Sequence, residues 1–170
     1  MSEPTGVPAN AIMANGIERG FAWQDDFALG DASMDAMHRQ FVASVDALLS
    51  AAPASLGAAL DDFERHARRH FGEEDEAMRA SRYDAGGCHI NEHAAVLESL
   101  RQVQEKLAGG HCDVVRAFAR ELARWFPEHV RVMDQGLAQW LEQQRLGGAP
   151  IAIRRRTAGT SAPAPDERRA

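Results

Sequence analysis

Seven residues of this chain have side chains that bind transition metals, at spacings that turn them inward on helices: His38, His70 with Glu74, His89 with His93, and His129 with Asp134. Residues three or four apart share a helix face. His38 is four after Met34 and three before Phe41. His70 follows Phe63 by seven, and Glu74 lies four after His70 and four before Met78. His89 and His93 lead into Val96, Leu100 and Val103, and His129 lies between Trp125 and Val132. Each imidazole thus falls in an apolar stripe.

One inward histidine is an ordinary core residue with a hydrogen-bond partner. Five of them with a buried glutamate are not. Each unpaired buried polar group costs about 1–3 kcal/mol, and a carboxylate more. Several would consume the ~5–15 kcal/mol stability of a domain. Neutral imidazoles and ionised carboxylates around a metal ion offset one another directly. Seven donors exceed what one tetrahedral zinc accepts. They suit two metals that share the carboxylates. A thiolate-free, imidazole-rich set suits iron among the first-row ions.

Asp134 fits least well. It lies five after His129, which rotates it by ~140° at ~100° per residue. The two converge only where the helix is locally distorted. Pro127, which lacks an amide donor, is the candidate source.

The elements that must carry these groups are helical. The chain has 170 residues, 45% hydrophobic and 6% aromatic, enough for one domain with a core. Helix A is predicted from an Asp31 or Ser33 cap to just before Pro53, and helix B from Ser55 to about Arg82. Helix C spans about Cys88 to Leu107 and stops at Gly109-Gly110. Helix D spans about Asp113 to Arg145, with a stripe of Phe118, Leu122, Trp125, Val132, Leu137 and Leu141. Short loops between amphipathic helices predict an all-α, up-down-up-down four-helix bundle. The expected organisation is a flexible arm over 1–20, the bundle over 21–146 with its first segment docked through Trp23, Phe27 and Leu29, and a disordered basic tail over 147–170.

Net charge is −6 and pI about 5.6, with no basic footprint for nucleic acid. The N-terminus shows no signal pattern, and no apolar run approaches the ~20 residues of a membrane span. Cys88 and Cys112 are more than ~30 Å apart if helix C separates them, so both read as free thiols in a reducing, cytoplasmic setting. Arg154-Arg155-Arg156 in the tail is solvated, or at most a weak contact for an anionic partner. Oligomeric state is left open.

The combined pattern resembles a hemerythrin of the bacterial type. The resemblance runs from Trp23 to about Trp140. It rests on Trp23 followed by Gly30 and Met34-Asp35-Ala36-Met37-His38, on His70-Phe71-Gly72-Glu73-Glu74 with Met78, on His89-Ile90-Asn91-Glu92-His93, and on Trp125-Phe126-Pro127-Glu128-His129 with Asp134. It implies a non-haem di-iron centre that binds O2 reversibly, in a binding protein rather than an enzyme. By position, His89, His93 and His129 hold one iron. His38 and His70 hold the other, which keeps an open place. Glu74 and Asp134 bridge, with a solvent-derived oxo or hydroxo group. Phe126 stands where the family commonly has Leu, and lines the O2 pocket or simply packs. Met37 replaces a usual Gln. His66 stands where Tyr is frequent, and reads as a half-exposed helix residue, with a hydrogen-bond donor to a ligand, a proton relay or a substitute ligand as the alternatives.

Three other readings compete. His89 to His93 fits the zinc-peptidase pattern H-x-x-E-H with Glu92 as base, but that leaves the other five groups unexplained. A di-iron enzyme acting on peroxide or nitric oxide is the alternative activity. Its ferritin-like form would need Glu-x-x-His pairs, and this chain has none. The third is a metal-sensing interaction module.

Overall fold

The computed structural model describes residues 20–147. The arm over 1–19, the tail from 148 and Arg154 to Arg156 lie outside the described residues.

Helix α1 (Ala32–Ser50) starts where the Asp31 side chain accepts the amides of Ser33 and Met34, at 3.0 and 3.1 Å. That satisfies two donors that no helical carbonyl can reach. A 3-10 turn at Pro53–Ser55 leads into α2 (Leu56–Ser81). Helix α2 ends with Arg82 in the left-handed region (φ 55°), which lets the Tyr83 amide reach back to the Met78 carbonyl at 3.0 Å. Helix α3 (Gly86–Ala108) follows, and a turn with Gly110 at φ 88° leads to α4 (Asp113–His129). Helix α4 runs into a π-helical turn, Val130–Asp134, and continues as α5 (Gln135–Arg145).

The protein is all-helical among the described residues. Helix α1 packs on α2 and α4, and α3 packs on α2 and α4. Each element meets its chain neighbours and α4 closes the ring, as an up-down-up-down bundle requires. Phe41, Phe63, Leu60, Leu100, Leu122 and Phe126 fill the centre.

The segment before α1 is docked. Phe21 and Phe27 are buried, and the Phe21 amide donates to Asp46 Oδ1 at 2.9 Å. The Leu29 amide donates to Asp35 Oδ1 at 2.7 Å, and the Arg39 guanidinium lies 4.3 Å above the Trp23 ring. The Phe27 ring meets Phe126 edge-on at 5.3 Å, so this arm closes the seam between α1 and α4.

Two expectations need correction. Val132 is 49% exposed rather than part of the inner stripe, because the π turn rotates it out of the 3.6-residue register. His66 is buried, against the rings of Phe41 and His70. Its place on α2 follows the inward face that carries His70, four residues on. No described helix is long and apolar enough to cross a membrane.

Candidate metal centre

All seven candidate residues converge in the bundle interior, and all are buried. Helix α1 supplies His38, α2 supplies His70 and Glu74, α3 supplies His89 and His93, and α4 with its π turn supplies His129 and Asp134.

The two carboxylates divide the space. Glu74 Oε1 lies 3.1 Å from His70 Nε2 and 3.9 Å from His38 Nε2. Its other oxygen, Oε2, lies 3.3 Å from His93 Nε2 and 3.8 Å from His89 Nε2. Asp134 repeats this pattern. Its Oδ2 lies 3.1 Å from His38 Nε2, while Oδ1 lies 3.0 Å from His89 Nε2 and 3.2 Å from His129 Nε2. Two groups of potential metal donors result: Glu74, His89, His93, His129 and Asp134 in one, and His38, His70 and Glu74 in the other.

Tautomers show that hydrogen bonds alone do not satisfy this cluster. His93 donates Nδ1–H to Asp75 Oδ1 and His129 donates Nδ1–H to Glu92 Oε2, both at 2.9 Å. Each neutral ring then has its lone pair on Nε2. Those two Nε2 atoms stand 3.2 Å apart, and His129 Nε2 is 3.1 Å from His89 Nε2. Lone pairs that converge at such distances repel unless a proton or a metal ion lies between them. Likewise His38 Nε2, Glu74 Oε2 and both oxygens of Asp134 are buried without a hydrogen-bond partner. A pair of metal ions would satisfy all of these atoms, so the donor set fits metal.

Charge points the same way. Burial lowers the pKa of His38, but the facing carboxylates of Asp134 and Glu74 outweigh it and lift the pKa to about 10. Burial opposes the charged form of His129 too, and Asp134 overrides it upward. Burial would raise Asp134, yet His129, His38 and His89 hold it well below the usual carboxylate range. Two buried carboxylates thus demand positive charge, and the imidazoles are made to supply it as protons.

Apolar rings enclose the cluster. Phe126 meets His38 edge-on at 5.4 Å and stacks on Phe41 at 4.6 Å. Phe71 stacks on His93 at 4.2 Å, and Trp125 on His129 at 4.1 Å. Sequence reasoning missed the outer partners of the imidazoles, which are Asp75, Glu92 and the Phe27 carbonyl. The available signal was chemical: an inward histidine needs an acceptor for its outer N–H. Glu92, between the helix turn of His89 and the ring of Trp125, was the visible candidate.

Residues 29–141 match the family described as Hemerythrin HHE cation binding domain. The chain belongs to the hemerythrin family. A hemerythrin relative, Bacteriohemerythrin of Ralstonia nicotianae, is 38% identical over 122 residues, which cover 72% of this chain and 89% of that protein. No solved structure matches the chain significantly. The family match encloses every one of the seven converging residues.

Proposed function

We propose that this protein binds O2 reversibly at a non-haem di-iron centre, for oxygen storage or delivery, with sensing as a further use of the same equilibrium. The observation that carries the reading is the division of each carboxylate, Glu74 and Asp134, between two imidazole groups. In this reading His89, His93 and His129 hold one metal, His38 and His70 hold the other, and Glu74 and Asp134 span both. Iron held there supplies reversible electron exchange with O2.

The chain's own residues provide the rest. The half with His38 and His70 offers fewer side-chain donors, which leaves room for an exogenous diatomic molecule. Phe126, against the His38 ring, limits the size of what enters. Phe27, Phe41 and Phe71 exclude water, which disfavours loss of charged reduced oxygen species. The free thiols Cys88 and Cys112 support a cytoplasmic setting.

The test is the optical spectrum and metal content of the purified, reduced protein. The expected result is two irons per chain and an absorption band that appears on oxygenation and vanishes under vacuum. His70→Ala loses reversible binding and an iron, and Glu74→Ala destabilises the filled site. Full loading and normal O2 binding in either variant overturns the ligand assignment. Irreversible bleaching with turnover of added peroxide would favour an enzyme instead.

A further inference from the structure

The five imidazoles differ in what stands behind them. His93 and His129 donate their outer N–H to carboxylates, Asp75 and Glu92, both at 2.9 Å. His38 has only a backbone acceptor, the Phe27 carbonyl at 3.2 Å. The outer nitrogens of His70 and His89 are buried with no partner. Both carboxylate-backed rings therefore belong to the group of His89, His93 and His129, and none to the group of His38 and His70.

The two carboxylates are themselves held in place. Glu92 Oε2 also accepts from Trp125 Nε1 at 3.1 Å, and Asp75 Oδ2 accepts from Arg79 Nη2 at 3.2 Å. A carboxylate behind an imidazole fixes ring orientation and raises its electron donation to a metal. A carbonyl does so less, and an unpartnered nitrogen not at all.

We propose that Asp75 and Glu92 are positioning residues that grade the two metal positions, so that the three-imidazole position fills first and holds its ion more tightly. This rests on the two-metal reading above. It gives the chain a one-metal form at low metal supply, with the imidazoles of His38 and His70 left free. Glu74 and Asp134 reinforce the order, because the first ion draws on the same carboxylates that the second must share.

The test is an anaerobic titration of the metal-free full chain with Co2+ against a competing chelator. The parent is expected to bind in two resolved steps. Glu92→Gln keeps an acceptor oxygen for His129 and Trp125 but removes the charge. It is expected to weaken the first step by about 10–100-fold and leave the second unchanged, with recovery in Glu92→Asp. Asp75→Asn behaves alike. His70→Ala abolishes the second step only. Metal-free Glu92→Gln keeps the parent's helical circular dichroism and a cooperative melt, which separates positioning from loss of the fold. Uptake of both ions in one step overturns the proposal, as does a Glu92→Gln titration that matches the parent or weakens both steps equally. A parent that takes up fewer than two ions in total refutes the two-metal reading itself, a different outcome from any of these.

Discussion

His129 Nε2 and Asp134 Oδ1 stand 3.2 Å apart, although Asp134 lies five positions after His129 along one helix. On a regular α-helix they would diverge by ~140°. The π turn removes that divergence: the Gln135 amide donates to the Val130 carbonyl, five residues back. A turn widened to i+5 brings positions 129 and 134 to one face. The extra residue is accommodated by turning Val132 outward.

Pro127 lies upstream of this turn and takes no part in its i+5 bond from Gln135 to Val130. Its missing amide leaves the Ala123 carbonyl short of a helical donor, whereas the Val130 amide still reaches the Phe126 and Pro127 carbonyls. Pro127→Ala should therefore leave the wide turn and metal uptake intact. Since an interior proline costs ~3 kcal/mol relative to alanine, the variant should also melt higher, by an amount up to that limit. Metal analysis and a thermal scan check this, and loss of metal would assign the distortion to the proline after all.

Phe126 touches more of the centre than a packing residue needs to. Its ring faces His38 edge-on and stacks on Phe41, with Phe27 closing the outer side. Phe126→Leu shortens this wall beside the less crowded group of donors. It should speed O2 release in stopped-flow measurements, while costing about 1 kcal/mol of stability as an apolar swap of modest volume change. Release no faster than in the parent would leave Phe126 as core packing alone.

Asp31 ties the start of α1 to the end of α5. It caps the Ser33 and Met34 amides, and Arg145 Nη1 donates to its other oxygen at 2.9 Å. The Met34 amide is the main cause of its lowered pKa; slight burial opposes it and Arg145 adds to it. A carboxyl whose folded pKa is depressed contributes stability above its unfolded pKa, near 3.8, and loses it as pH falls through the folded value. Asp31→Ala should thus cost about 1 kcal/mol at neutral pH. The difference should shrink toward zero in urea titrations carried below the lowered pKa. A penalty unchanged at low pH would mean that the cap does not act through its charge.

The bundle was legible because stripe, cap and breaker agree along the chain. Asp31, Pro53 and Gly109-Gly110 mark the ends of helices whose faces already carry Phe41, Phe63 and Leu100. The seven converging residues were legible for a related reason, since His or Glu in an apolar stripe is costly unless it is matched. The π turn was not readable as such. Only the odd step from His129 to Asp134 betrayed a distortion, and the natural suspect, Pro127, sits one turn too early. Asp75 and Glu92 were hidden because each lies at the edge of a polar helix face, where acidic residues are ordinary. His66 was misjudged because α2 has a wide inward face, and a periodic pattern alone does not set its limits.

His66 is a buried imidazole that no part of the proposed site uses. Its Nε2 has no partner, and burial, then the neighbouring His70 and Arg69, press its pKa down to about 4. A histidine with a depressed folded pKa contributes stability that is complete above its unfolded value of about 6.5 and is lost as pH falls toward 4. His66→Phe removes both the unpartnered nitrogen and the proton that unfolding would take up. It retains a ring of similar shape between Phe41 and His70. The variant should be more stable than the parent in urea titrations of the metal-free protein. The gain should be larger at pH 5 than at pH 8, because only the parent carries the acid-side penalty. A gain that is equal at both pH values would mean that the folded pKa of His66 is not depressed below its unfolded value. A loss of stability at pH 8 would mean that the hydrogen bond of the ring with the Met37 backbone outweighs the unpartnered Nε2.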